Sequence, residues 1–204
     1  MRLEPGNPME CTHHKSLREI FSQIVPFDQV ELDLAYQYFS FQTYKPKDYI
    51  FSCGDIVHDV HFIIDGIGRY FYIDKEGNER NKSLVRKGGA FSCVNSLVEG
   101  SPSPFFTQAI TQCTIGSIAY ERLITLSKSN CNWGDFLRKV FERLVLKKEK
   151  REAGFLLLSA KERYEQFLVE FGEESRLIPL RHIAMYIGVT DVTLSRIRRE
   201  MDLT

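Results

Sequence analysis

The sequence predicts an α+β chain: an antiparallel β roll (a double-stranded β-helix, jelly-roll-like), then a long helix and a C-terminal helix-turn-helix unit. Three observations predict it. Glycines at 54, 66, 77, 88 and 100 fall about every 11 or 12 residues between β-rich runs. A proline-free stretch then repeats apolar side chains at three- and four-residue steps. Finally "IPLRHIAMYIGVTDVTLSRIRRE", residues 178 to 200, places a Gly-Val-Thr break between two short amphipathic segments.

Taken in order, residues 1–15 read as a flexible tail, with Met9 a second candidate start, and His13 and His14 as solvated side chains without partners. Residues 16–40 look helical in two pieces. Asp28 and Glu31 have the D-x-x-E spacing of a helix start, followed by Leu32, Leu34, Ala35, Tyr38 and Phe39. From Tyr44 to Tyr120 the runs "DYIF", "VHFII", "RYFYI", "KSLV", "FFTQAI" and "TIGSIAY" read as strands, and "DKEGNE" as a hairpin turn. No segment here keeps the helical period, so residues 16–130 form one roll with flanking helices.

Residues 131–158 read as one helix of about 40 Å at roughly 1.5 Å per residue. It carries Trp133, Phe136, Leu137, Val140, Phe141, Leu144 and Val145 on one stripe. Such a helix either covers its own roll or pairs with a second copy; for pairing, Trp133, Phe136, Leu137, Val140 and Leu144 are the candidate positions. The charged run "KKEKRE" interrupts the stripe. Ser159-Ala-Lys-Glu162 then matches a capping box and opens residues 159–204, whose first helix runs through Tyr164, Phe167, Leu168 and Phe171 to Gly172.

Equal numbers of basic and acidic residues, 27 each, leave no net charge to draw the chain to nucleic acid or membrane, so any basic surface is local. No apolar run is long enough to span a bilayer, and the N-terminus lacks a secretory apolar core. The five cysteines, at 11, 53, 93, 113 and 131, form no C-x-x-C pair. That spacing suits a reducing cytoplasm and excludes a zinc framework or an iron–sulfur cluster, so no metal and no cofactor is expected. His58 and His61 stand an odd number of residues apart, which on a strand sends them to opposite faces. An enzyme built on the roll would need histidines and a carboxylate converging on one face. No such set is present, nor are G-x-S-x-G, H-E-x-x-H or a phosphate-binding Gly-Lys motif. "GIG" at 66–68 lacks the third glycine of a dinucleotide fingerprint and is expected to be a strand feature.

In the last segment Ile183, Ala184 and Ile187 share a face, Gly188 suits a left-handed cap, and Thr190 N-caps a helix beginning at Asp191. Leu194 and Ile197 face inward there, leaving Thr193, Ser195, Arg196, Arg198 and Arg199 outside. One helix would buttress while the second enters a major groove. From residue 176 onward five arginines stand against Asp191, Glu200 and Asp202. Arginine suits bidentate contact with guanine or phosphate. The candidate DNA-contacting residues are therefore Thr190, Asp191, Thr193, Ser195, Arg196, Arg198 and Arg199.

With its roll in "IVHDVHFIIDGIGRYFYIDKEGNERNKSLVRKGGAF" and its hinge and helices in "SAKERYEQFLVEF" and "IPLRHIAMYIGVTDVTLSRIRRE", the chain resembles the CRP/FNR family of bacterial transcription regulators from about Tyr44 to its end. The resemblance implies a cyclic-nucleotide-binding-like roll, homodimerisation through the long helix, and an inverted-repeat duplex as partner. It departs at the pocket. Ser92-Cys93 stands where relatives carry the Gly-Glu that holds the ribose, and Ser103-Pro104 where they carry the Arg-Ser that holds the cyclic phosphate. A buried phosphate without a cation would lose its strongest hydrogen bonds, so cyclic AMP is not expected to bind in the usual way. Phe91, Ser92, Cys93, Ser103, Phe105 and Phe106 would then either line a pocket for a less charged small-molecule effector or fill it; Cys93 reads as a buried, inert thiol. Relatives begin the recognition helix with Arg-Glu-Thr, where this chain has Asp191-Val192-Thr193, and the β wing that usually follows it is either missing or cut away at Thr204. The expectation is a cytoplasmic, sequence-specific DNA-binding regulator and not an enzyme; the alternative is a sensor or scaffold whose helix pair no longer reads DNA.

Overall fold

The computed structural model describes residues 8–203. Helices α1 (Pro8–Ser22) and α2 (Gln29–Tyr36) come first, and Asp28 and Glu31 close the expected capping box. Helix α1 starts inside the segment read as a tail, whose residues 1–7 lie outside the described residues. His13 and His14 are correspondingly not partnerless. The His14 ring stacks on Tyr36 with centroids 4.3 Å apart, and His13 lies 5.0 Å from the Phe41 ring. Burying the Phe41 edge against α1 draws both histidines onto aromatic surface.

Among the described residues, eight strands form two four-stranded antiparallel sheets. One has the order β1 (Ser40–Tyr44), β8 (Cys113–Ala119), β3 (Asp59–Asp65), β6 (Ala90–Phe91). The other has β2 (Tyr49–Phe51), β7 (Phe106–Ala109), β4 (Ile67–Ile73), β5 (Glu79–Arg86). Strands β1 and β6, and the short helices α3 (Val94–Glu99) and α4 (Tyr120–Ser129), are additions to the runs marked by the sequence. The hairpin at 74–79 closes as its composition demands, with the Asp74 carboxylate accepting from the N–H groups of Glu76 and Asn78.

The two faces of β3 explain how the roll is built into the rest. Ile63 points between the sheets, among Phe51, Phe91, Cys113 and Ile115. Val60, Phe62 and Ile64 point outward, under α1 and the start of α5 (Cys131–Leu157). A strand covered on both faces reads as a near-continuous apolar run, as "VHFII" does. Gly68 of the "GIG" sequence is indeed a strand residue: a β-carbon there would meet the Phe91 ring at 2.6 Å, so the glycine admits that ring to the interior.

Helix α5 runs the 27 residues expected of it, N-capped by Asn130. Its first turns cover the chain's own body. Trp133 and Phe136 are 1% and 0% exposed; Trp133 packs edge-on and Phe136 at a tilt against Phe21, with Phe27 beside both. These two candidate pairing positions are therefore interior, because α1 and α2 bring an aromatic cluster to meet them; Leu137 and Val140 rest half-buried on the same cluster. Further on, Phe141, Leu144, Val145 and Leu146 are exposed.

After a capping box at Ser159 and Glu162 follow α6 (Ala160–Phe171), a 3-10 turn at Gly172–Leu177, α7 (Leu180–Ile187) and α8 (Asp191–Glu200). They form a third core with Ile67 and Leu84 of the roll. Among the described residues no helix is long and apolar enough to cross a membrane.

Candidate functional site

Helices α7 and α8 meet at a three-residue turn. Gly188 has φ 72°, and a β-carbon there would also strike the Phe155 ring at 2.6 Å, so glycine is required twice over. The Thr190 hydroxyl caps α8 by accepting from the Thr193 N–H at 3.1 Å. Ala184, fully buried, lets α8 cross closely over Leu194 and Ile197. Opposite that seam Asp191, Val192, Ser195, Arg196 and Arg199 are exposed, while Thr193 is half-buried with its hydroxyl 2.9 Å from that of Thr190. Arg196 lies only loosely beside Glu200, at 3.9 Å.

Arg198 differs from its neighbours. Its guanidinium is half-buried and donates to the Tyr164 hydroxyl and the Leu203 carbonyl, both at 2.7 Å. It ties α8 to α6, whereas the sequence had grouped it with the outward arginines. Three residues further along the helix than Ser195, it falls on the flank that the α6 aromatics cover.

The helix pair is also joined to the roll, through residues the sequence did not single out. Arg69 of β4 is 2% exposed. It donates to Gln108, Glu79 and Asn81, lies 3.9 Å over the Phe71 ring, and reaches Nδ1 of His182 in α7. Asn81 in turn donates to the His182 carbonyl at 3.0 Å. Arg86–Glu174 and Lys147–Glu170 flank this seam at 2.7 and 2.9 Å. An arginine within the apolar run "RYFYI" was the one available signal.

The residues proposed for an effector pocket divide between core and cavity. Phe91, Cys93 and Ser103 are buried between the sheets, and the Ser103 hydroxyl donates to the Phe105 carbonyl. Phe106 stacks on Phe71, 5.2 Å away. Phe91 therefore occupies the roll interior, whereas Phe106 lies on the outer face of β7. Ser92 and Phe105 instead line a cavity of about 360 Å³ lying between the roll, α1, α3 and α5. Its walls are mainly apolar, including Ile20, Phe62, Val85, Leu97, Phe136 and Val140. Five basic residues, Lys82, Arg143, Lys147, Lys148 and Arg151, also line it, and none of the described lining residues is acidic.

Lys82 stands apart among those cations. Its ammonium sits 3.5 Å over the Phe105 ring and 5.2 Å from that of Tyr70, with no ion pair or hydrogen bond to a carboxylate among the described residues. Burial, aided by the neighbouring charge of Lys148, pushes it down to about 8. Next to it burial raises the Cys93 thiol, but hydrogen bonds from Ser96, Ser103 and Asn95 outweigh that and hold it below the ordinary thiol value. His61 spends Nδ1 on the Ser117 hydroxyl at 2.8 Å, and His58 lies in the loop before β3, not on a strand.

Comparison with known proteins agrees with this architecture. Residues 41–130 match the cyclic nucleotide-binding domain. No curated protein matches the chain at a significant level. The structure is similar to that of FixK2 from Bradyrhizobium japonicum, with TM-score 0.69 and 18% identity over 80% of this chain and 84% of that one. It is similar to the c-di-GMP responsive global regulator CLP of Xanthomonas campestris, with TM-score 0.67 and 15% identity over 86% and 92%. The catabolite activator protein of Thermus thermophilus gives TM-score 0.55 and 19% identity over 90% and 86%. Residues 41–130 thus match the cyclic nucleotide-binding domain, and the chain shares the fold of FixK2, CLP and the catabolite activator protein of Thermus thermophilus.

Proposed function

We propose that the chain is a homodimeric, sequence-specific DNA-binding regulator of transcription, acting in the cytoplasm, whose roll presents a small-molecule effector cavity to the long helix. One observation carries this reading. Helix α8 is fixed from beneath by Leu194 and Ile197 and from the side by Arg198, while Ser195, Arg196 and Arg199 stay free on its outer face. A rigid helix offering arginines and small hydroxyls to solvent is what major-groove reading requires. The exposed apolar residues Leu144, Val145 and Leu146 on α5 support pairing of two copies, which would place two such helices on half-sites about 34 Å apart. Solved structures of the same fold include proteins described as a global regulator and a catabolite activator, and they favour regulation over catalysis.

Selection of bound duplexes from a random pool tests the reading. Enrichment of an inverted repeat with half-sites one turn apart, lost with Arg196→Ala, is expected. Retention of unrelated duplexes without a common motif, or of none, would overturn it.

A further inference from the structure

We infer that the cavity between the roll and α5 takes a small anion with an apolar body, an aliphatic or aromatic carboxylate, with the Lys82 ammonium as its counter-ion. The inference rests on the reading of this cavity as an effector site. Two features of the walls set the ligand class. Apolar side chains from α1, β3, β5, α3 and α5 reward an apolar body, because each apolar surface brought together leaves water. The charge is wholly of one sign: five basic residues and, among the described residues lining the cavity, no acidic one.

The cations are not equivalent. Lys147 already pairs with Glu170 and donates to the Leu84 carbonyl. Arg143 donates to the Gln23 carbonyl, and Arg151 lies over the rings of Phe155 and Tyr186. Lys82 meets only ring faces, above all that of Phe105. A half-buried ammonium without a carboxylate lacks the partner such groups normally have, and a ligand carboxylate arriving in the cavity would supply it. A cyclic nucleotide fits less well. The Ser103 hydroxyl, at the position where relatives grip the cyclic phosphate, is buried and engaged by Phe105 and Cys93.

Octanoate and 1-octanol, which share a chain and differ in charge, are suitable probes. Titration calorimetry on the full-length chain should show octanoate binding at least about tenfold more tightly than octanol, the ratio expected for one charge-assisted contact. Lys82→Met should remove that preference while leaving octanol unchanged, and Lys82→Arg should keep it. Equal binding of the two probes, octanoate affinity unaltered in Lys82→Met, tighter binding of cyclic AMP than of octanoate, or no octanoate binding would each overturn the inference. The titration involves no DNA, so the two readings fail separately. Octanoate binding without duplex selection keeps the cavity's ligand and removes the DNA reading, and the reverse result does the opposite.

Discussion

Arg69 of the roll and His182 of the C-terminal helices face each other across a buried seam, Nη1 standing 3.4 Å from Nδ1. The guanidinium can only donate, so the imidazole nitrogen facing it accepts and the ring is neutral, with its proton on Nε2. Burial first, then the charges of Arg69 and Arg181, press His182 down to about 4, with Glu79 opposing them. The contact joining the two parts of the molecule therefore exists only with an uncharged histidine.

Stability should depend on pH accordingly. The folded value lies below the ordinary one near 6.5, so between the two the unfolded chain binds the extra proton. The His182 contribution is complete above about pH 6.5 and is lost as pH falls toward about 4. It amounts to as much as roughly 3 kcal/mol at about 1.4 kcal/mol per unit. Urea titrations at several pH values should show this loss in the native sequence, and the difference from His182→Gln should carry it. A difference that stays constant between pH 6.5 and 4 would refute the neutral contact.

Arg69→Met tests the other side of the seam. Gln108 and Asn81 would lose the donor that unites them, and the His182 ring its hydrogen bond from Arg69. Because Arg69 is buried and Glu79 partly exposed, a loss of about 3 kcal/mol is expected rather than the full cost of a wholly buried pair. Hydrogen exchange should rise first in α7, ahead of β3 and β8; uniform loss across the molecule would argue against a seam.

How much of this was legible follows from where each signal is stored. Capping boxes at Asp28 and Ser159, and the Gly188–Thr190 turn, are local chemistry, so spacing alone located them. The long helix was equally plain, but its stripe mixes two jobs that periodicity does not separate: Trp133 meets Phe21, 112 positions earlier, while Leu144 faces outward. The division of the expected pocket residues between core and cavity has the same origin. Phe91 and Cys93 follow the alternation of a strand and go inward, whereas Lys82, twenty-three residues before Phe105, meets it only after β5 and β7 have folded onto β4. Arg69–His182 spans 113 positions and left almost no local trace.

The division along α5 gives a paired experiment. Leu144→Glu, on the exposed part of the stripe, should convert a dimer to a monomer by light scattering with little effect on the monomer's fold. Trp133→Ala should instead cost about 3 to 5 kcal/mol of stability and leave the association unchanged. A dimer surviving Leu144→Glu would place the contact elsewhere.

Two arginines of α8 should likewise respond in different assays. Arg196→Ala is expected to cost about 1 to 3 kcal/mol of specific duplex binding and nothing measurable in stability. Arg198→Ala removes the donor to the buried Tyr164 hydroxyl and to the Leu203 carbonyl, so about 1 to 3 kcal/mol should disappear from folding. If Arg198→Ala weakened duplex binding at unchanged stability, its guanidinium would have left α6 for the DNA.

Binding of octanoate should titrate with Lys82. Facing its ammonium are Lys148 and Arg151 of α5, Cys93 before α3, and the rings of Tyr70, Tyr72 and Phe105. Burial holds both tyrosines above their ordinary range, so neither adds a negative charge near neutrality. Lysine is charged below its value near 8 and neutral above it. Octanoate affinity should therefore be level below about pH 8 and fall above it by about tenfold in all, the share assigned to the charge-assisted contact, before levelling again. Lys148→Ala removes a like charge that helps to lower Lys82, so the midpoint should move upward. Cys93 acts on Lys82 in the opposite sense, so Cys93→Ser should move the midpoint down. An affinity flat through pH 9 in the native sequence, with a fall appearing in none of the variants, would mean that a permanently charged group such as Arg151 holds the carboxylate in place of Lys82.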